Sequence, residues 1–134
     1  MNNDPHICVD LDGTLAEYDS RRPMTEIGPA IPAMLRRVKI WLDMGIEVRI
    51  MTARACYAPY IPGVEKWLED NGIPGLKVTN EKTFGMLQLW DDRAIQVIEN
   101  TGIPVTLATN AVVAPEDVYI EPEPLKSAKD QIDT

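Results

Sequence analysis

Three glycine–isoleucine pairs divide this chain into repeating units, and they constrain its fold more than any other feature of the sequence. Gly45-Ile46, Gly72-Ile73 and Gly102-Ile103 each follow a segment with helical periodicity and lead into an apolar segment. A glycine just past the end of a helix adopts the left-handed conformation that caps the helix. Three helix–glycine–strand units in series predict alternating strands and helices, and hence a mostly parallel sheet.

The order of the elements follows from the periodicity of the apolar residues. Short apolar runs predict strands, while apolar residues on one helical face, such as Met34, Leu35 and Val38, predict helices. The predicted strands cover residues 6–10, 46–51, 76–79, 86–90 and 104–108, and the predicted helices cover residues 32–44, 62–71 and 93–101. A chain of 134 residues with these elements suits one α/β domain.

The C-terminal part of the chain differs in composition from the rest. From about Ala114 it becomes acidic and rich in proline, as in Pro115-Glu116-Asp117 and Glu121-Pro122-Glu123-Pro124. Such a segment buries too little apolar surface to order itself. We therefore expect a folded core over residues 1–113 and an irregular tail over residues 114–134.

The net charge and the hydropathy of the chain indicate where the protein is located and which classes of partner it binds. The formal net charge of −8 repels polyanions at long range, which argues weakly against a nucleic-acid partner. The N-terminus has no apolar signal core, and no apolar run approaches the ~18 residues of a membrane span. Cys8 and Cys56 fit no metal-binding spacing and are expected to be reduced thiols. These features predict a cytoplasmic protein without a membrane partner.

Polar residues follow three of the predicted strands at the point where each strand ends. The first strand ends in Asp10-Leu11-Asp12-Gly13-Thr14, the second runs into Thr52-Ala53-Arg54, and the fourth runs into Asp91-Asp92-Arg93. The C-terminal ends of parallel strands share one edge of the sheet, and ligands bind in the crevice outside it. Clustered carboxylates repel one another unless a cation lies between them, and oxygen ligands suit magnesium.

The segment Asp10-Leu11-Asp12-Gly13-Thr14 resembles the first motif of the haloacid dehalogenase-like (HAD) hydrolase superfamily. Thr52 is similar to the second motif, Lys82 to the third and Asp91-Asp92 to the acidic fourth, so the resemblance covers roughly residues 6–108. It implies a Rossmann-like three-layer α/β/α fold with a five-stranded, mostly parallel sheet in the order 3-2-1-4-5. The chain is too short where the family inserts cap domains, so a capless member is expected. Trp90, where the family often has glycine, either walls the substrate pocket or packs.

The resemblance implies a magnesium-dependent phosphatase with a nucleophilic aspartate. Asp10 would attack phosphorus and form an aspartyl-phosphate. Asp12 would protonate the leaving alkoxide and then deprotonate the water that releases phosphate. The magnesium ligands would be the Asp10 carboxylate, the Asp12 carbonyl oxygen and Asp91, with Asp92 nearby or acting through water.

The same resemblance implies which residues bind the phosphoryl group. Thr52 and the backbone N–H groups of Ala53 and Arg54 would hold phosphate oxygens, and Lys82 would offset charge during transfer. The family's lysine usually lies at the head of a helix, but the link before the fourth predicted strand has no room for a full helix. Lys77 therefore stays open as the alternative to Lys82.

Two other functions stay open. The early Arg21-Arg22-Pro23 and the later Asp91-Asp92-Arg93 are similar to the 3′-phosphatase domain of phage polynucleotide kinase, which acts on nucleic-acid ends. A receiver-like phosphoacceptor domain also holds a magnesium-bound aspartate, a threonine and a lysine on a parallel sheet, but its acidic pair follows the first strand. The substrate would be a phosphorylated small molecule or nucleic-acid end. An open site suits a bulky substrate, or a small one shielded by a second subunit of a homo-oligomer.

Overall fold

The structure is a computed structural model that describes residues 2–105 as two compact units, with the boundary between Asp92 and Arg93. The first unit contains strands β1 (His6–Asp10), β2 (Val48–Met51), β3 (Lys77–Thr79) and β4 (Met86–Trp90), and helices α1 (Pro32–Asp43) and α2 (Ile61–Asp70). The α/β class is confirmed, and each of these six elements lies within two residues of its predicted bounds.

The four strands form a parallel sheet in the order β3-β2-β1-β4. Ile7 pairs with Val48 and Val9 with Ile50 on one side of β1, while Val9 pairs with Trp90 of β4 on the other. The central β1 is apolar and buried along most of its length, which is typical of a strand with a neighbour on each side. This order carries the C-terminal ends of β1, β2 and β4 to one edge.

Both helices start with proline near the first position and stop at a glycine with positive φ. Pro32 and Pro62 lie in the first turns, where a missing N–H group costs no intrahelical hydrogen bond. Gly45 (φ 79°) and Gly72 (φ 79°) follow α1 and α2, and each donates its N–H to a carbonyl oxygen of the last helical turn. The prediction of glycine-capped helices is therefore confirmed at these two positions.

One face of the sheet forms the hydrophobic core of the first unit. The core strand residues Ile7, Val9, Val48 and Ile50 share a face because of the register, and they cluster with buried residues of both helices, namely Met34, Val38, Val64 and Leu68. Fully burying a side chain such as Leu68 contributes about 1.5–3 kcal/mol. The helices described in residues 2–105 thus belong to this one core, and the expected third layer is not confirmed.

The predicted helix over residues 93–101 is wrong. This segment, which belongs to the second unit, is extended and then turns, with an antiparallel bridge between Val97 and Pro104. The turn runs through Asn100 (φ 64°) and Gly102 (φ 71°), and the N–H of Ile98 donates to the carbonyl oxygen of Ile103. Several residues here are β-branched, which lowers helix propensity and favours an extended backbone.

The remaining predictions are tested only in part. Pro104 and Val105 of the predicted fifth strand each form a β-bridge. Residues 106–108 of that strand and the tail over 114–134 lie outside the described residues. The fifth strand of the sheet is therefore not confirmed. Cys8 and Cys56 are both free thiols. Within residues 2–105, neither helix has the length and apolar character needed to cross a bilayer.

Candidate active site

Three carboxylates meet where β1 and β4 end side by side. Because Val9 pairs with Trp90, the next residues along the two strands, Asp10 and Asp91, lie at the same edge. One oxygen atom from each of Asp10, Asp91 and Asp92 lies within 4.8 Å of the others. Asp10 and Asp91 are half-buried and Asp92 is exposed, so the cluster opens to solvent on one side.

The pKa of the Asp10 carboxyl group is raised from 3.8 to about 7. Burial is the largest cause, followed by a hydrogen bond with Asp92 and by the negative charges of Asp91 and Asp92. The N–H of Leu11 opposes the shift by donating a hydrogen bond to the carboxylate. Proximity of like charges in a partly desolvated site creates a local excess of negative charge, which a cation would relieve.

The loop after β1 brings the motif back over the cluster. The N–H groups of Leu15 and Ala16 both donate to the carbonyl oxygen of Leu11, which closes a tight turn. Gly13 has φ 93°, and a Cβ atom there would lie 2.6 Å from Oδ2 of Asp92. A glycine is therefore needed both for its backbone conformation and for the close approach of Asp92.

Thr14 is a site residue that the sequence analysis named only as part of the motif. Its Oγ1 donates to Oδ1 of Asp92 at 3.1 Å, and this hydrogen bond connects the loop after β1 with the end of β4. The hydrogen bond orients the exposed carboxylate of the cluster. The Gly-Thr pair after the second aspartate is the only sequence signal for this contact.

Thr52 follows β2 and begins the short 3₁₀ helix Ala53–Cys56. Its N–H donates to the carbonyl oxygen of Thr79, and its Oγ1 accepts the N–H of Arg54 at 3.1 Å. Thr52 is buried, and Ala53 beside it is exposed. Because Oγ1 acts here as an acceptor, the hydroxyl proton of Thr52 is available for a ligand oxygen.

Arg54 is buried and contacts Asp12, the second aspartate of the first motif. Its Nε donates to Oδ2 of Asp12 at 2.7 Å and its Nη2 donates to Oδ1 at 3.0 Å, which makes a bidentate ion pair. The same guanidinium donates to the backbone carbonyl oxygens of Met24 and Glu26. Arg54 thereby connects Asp12 to residues 24–26, which lie farther along the same loop between β1 and α1.

Of the two candidate lysines, Lys77 lies away from this edge, and Lys82 lies on the link between β3 and β4. Lys77 begins β3, and its Nζ contacts Oδ1 of Asn2 near the opposite, N-terminal end of the sheet. Lys82 is exposed and precedes Thr83, whose Oγ1 donates to the carbonyl oxygen of Asn2. The structure therefore brings together Asp10, Asp91 and Asp92, and it pairs Asp12 with Arg54 next to Thr52, whereas Lys77 lies at the opposite end of the sheet.

Two tryptophans have packing roles near the site. Trp90 packs edge-to-face on Trp41 of α1, with ring centroids 5.2 Å apart, and the Arg37 guanidinium lies 4.9 Å from its ring centroid. Trp90 thus packs against α1, which agrees with the second of its two predicted roles. Nε1 of Trp67 in α2 donates to the carbonyl oxygen of Gly28 at 2.8 Å, a contact that the sequence analysis did not predict.

Comparison with known proteins adds no further information about the site. No family model matches the chain, and searches of curated proteins and of solved structures also found no match. What can be inferred about function therefore comes from the residues and contacts described above.

Proposed function

We propose that the protein is a magnesium-dependent phosphomonoester hydrolase that forms an aspartyl-phosphate on Asp10. The observation that carries the proposal is the cluster of Asp10, Asp91 and Asp92, whose oxygens lie within 4.8 Å at the C-terminal edge of a parallel sheet. Asp12 lies two residues past the proposed nucleophile, at the distance along the chain that the HAD resemblance implies. The five-stranded three-layer fold and a cytoplasmic location belong to the same proposal.

The donor set fits a hard divalent cation. The three carboxylates supply only oxygen atoms, and burial together with the nearby Asp91 and Asp92 raises the pKa of Asp10, so a cation would compensate the charge of the ionised cluster. Asp10, Asp91 and Asp92 would hold the ion together with the Asp12 carbonyl oxygen. Bound magnesium would supply positive charge next to the phosphoryl oxygens, which lowers the repulsion between them and an attacking carboxylate.

The two motif aspartates divide the chemistry between them. An oxygen of Asp10 attacks phosphorus as the bond from phosphorus to the leaving oxygen breaks, and Asp12 gives its proton to that oxygen to form the free alcohol. A water molecule then attacks the aspartyl-phosphate and gives a proton to Asp12. Inorganic phosphate leaves, and the carboxylate of Asp10 and the proton on Asp12 are both restored.

In this proposal, the segment Thr52-Ala53-Arg54 after β2 binds the phosphate. The hydroxyl of Thr52 and the backbone N–H groups of Ala53 and Arg54 would hold the phosphate oxygens, and the side chain of Arg54 contacts Asp12. Lys82, which is exposed, would offset charge on the phosphoryl group during transfer. Arg54 is the buried cation already in contact with the site.

A 3′-polynucleotide phosphatase is the second candidate, and one observation favours it. Tyr57 is 54% exposed, packs edge-to-face on Tyr60, and lies one 3₁₀ turn after Arg54, where its ring could stack on a nucleobase. The arginines argue in the other direction. Arg21 pairs with Asp19, Arg22 with Glu17, and Arg54 with Asp12.

Phosphate release from a panel of phosphomonoesters tests the proposal. The panel contains an aryl phosphate, nucleotides and a 3′-phosphorylated oligonucleotide, each with and without magnesium, for wild type and Asp10→Asn. We expect magnesium-dependent release by wild type and loss of release in the variant. A preference for the oligonucleotide that weakens as salt rises would favour the 3′-phosphatase. A stable phosphoprotein without turnover would favour the receiver-like alternative.

A further inference from the structure

One buried guanidinium connects the proposed acid–base residue to a loop above the site. The flap, defined as residues 17–29, lies in the loop between β1 and α1, and the residues at its two ends, Ala16 and Ala30, form an antiparallel bridge. Arg54 is 6% exposed and donates four hydrogen bonds. Two of them go to the carboxylate of Asp12, and the other two go to the flap carbonyl oxygens of Met24, at 2.5 Å, and Glu26, at 3.2 Å.

Other contacts hold the two ends of the flap rather than its middle. The N–H of Glu17 donates to the carbonyl oxygen of Pro29, and Nε1 of Trp67 donates to that of Gly28. Arg54 instead contacts the flap at Met24 and Glu26, near the centre of the loop. The side chain of Met24 itself is 52% exposed.

We propose that Arg54 is a positioning residue that couples closure of the flap to the orientation of Asp12. A buried guanidinium that loses acceptors is left with unsatisfied donors, which is costly in a desolvated site. Lifting the flap removes the acceptors at Met24 and Glu26, and turning Asp12 away removes the two carboxylate acceptors. The flap and Asp12 are therefore held in one arrangement, and weakening either contact loosens the other.

The coupling between the flap and Asp12 does not depend on catalysis, whereas the effect of Arg54 on turnover rests on the proposed function. In catalysis Arg54 would keep one of its two hydrogen bonds to Asp12 while the other Asp12 oxygen carries the proton for the leaving oxygen, so loss of Arg54 matters most for esters whose leaving group needs a proton. An aryl phosphate with an acidic phenol leaves without much protonation, whereas an alkyl phosphate depends on the general acid. A purely structural role, or a role in phosphate binding, would reduce turnover of both esters equally.

Limited trypsin digestion of the full chain without magnesium tests the coupling. Cleavage after Arg21 reports opening of the flap, and cleavage after Lys66 in α2 reports global unfolding in the same digest. We expect Arg54→Met and Asp12→Asn each to speed cleavage after Arg21 about tenfold relative to cleavage after Lys66. Asp92→Asn neutralises another carboxylate of the site that has no bond to Arg54, so its ratio should match wild type.

The Asp12→Asn result is decisive because the Asp12 side chain bonds to Arg54 and not to the flap carbonyls. If Asp12→Asn has the same ratio of cleavage after Arg21 to cleavage after Lys66 as wild type, the coupling is overturned. Hydrolysis then tests the catalytic part: Arg54→Met should lose about tenfold more kcat/KM on an alkyl phosphate than on p-nitrophenyl phosphate. Equal losses would overturn the positioning role. A wild type inactive on both esters would instead refute the proposed function, while the digest still decides the coupling.

Discussion

Replacing Asp10 with asparagine should make the magnesium-free protein more stable at pH 8, although it removes the proposed nucleophile. The carboxylate of Asp10 shares a half-buried site with Asp91 and Asp92, and its pKa is raised from 3.8 to about 7. Asparagine has nearly the same shape, carries no charge, and its amide can donate to Asp92. The substitution thus removes the electrostatic cost and retains the packing.

The size of the effect follows from linkage between protonation and folding. Between about pH 4 and pH 7 the folded state keeps a proton on Asp10 that the unfolded chain has released, so stability falls as pH rises through this window. A shift of this size corresponds to about 4 kcal/mol as an upper bound. Because the site is partly solvated, we expect a gain of about 2 kcal/mol for Asp10→Asn at pH 8, and little gain at pH 4.

Thermal unfolding measured at pH 4, 6 and 8 with a chelator present tests this prediction. For a chain of this size, 2 kcal/mol corresponds to a rise in Tm of about 6–10 °C. Adding magnesium at about 100 times its Kd should then stabilise wild type by roughly 2.7 kcal/mol and the variant much less. Equal Tm values for the two proteins at pH 8, or a lower Tm for the variant, would refute the electrostatic reasoning.

Three further substitutions test separate parts of the structure. Gly13→Ala would place a side chain on a backbone with φ 93°, with its Cβ 2.6 Å from Oδ2 of Asp92. We expect the free energy of unfolding in denaturant to fall by about 1–3 kcal/mol and magnesium to stabilise the variant less. An unchanged denaturant midpoint would contradict this. Thr14→Val removes the hydrogen bond to Asp92 and should weaken magnesium binding in a calorimetric titration by about tenfold, whereas unchanged binding would show that Asp92 needs no support. Leu68→Ala creates a core cavity and should lower the free energy of unfolding in urea by about 2–5 kcal/mol, while magnesium still raises Tm. If the variant also lost its magnesium stabilisation, the core and the site would be coupled.

The edge that holds the site could be predicted because it depends on a general property of parallel sheets. Apolar runs located β1, β2 and β4, and the residues directly after them had to meet once the strands paired in parallel. Asp10 and Asp91 are brought together in this way although 81 positions separate them in the sequence. The core followed for the same reason, since Val38 and Leu68 lie on the apolar faces of amphipathic helices.

Other features depend on contacts that leave no local signal. The ion pair of Arg54 with Asp12 joins residues 42 positions apart, and its bonds to the flap use backbone carbonyl groups, which every residue has. The segment over 93–101 has apolar residues at spacings that suit either a helix or an extended strand, and its β-branched residues favoured the latter. Lys82 was assigned by motif order alone, and the hydrogen bond from the neighbouring Thr83 to Asn2 is a contact that motif order does not predict.

The most direct test of the central claim is detection of a phosphoryl group on Asp10 during turnover. The protein is mixed with magnesium and the best ester of the panel, quenched in acid within the first turnovers, and reduced with borohydride, which converts an aspartyl-phosphate to homoserine. We predict that peptide mass spectrometry finds homoserine at position 10, and not at Asp12, Asp91 or Asp92. Turnover without homoserine at any aspartate would contradict a covalent mechanism, and homoserine at Asp91 or Asp92 would assign the nucleophile to β4.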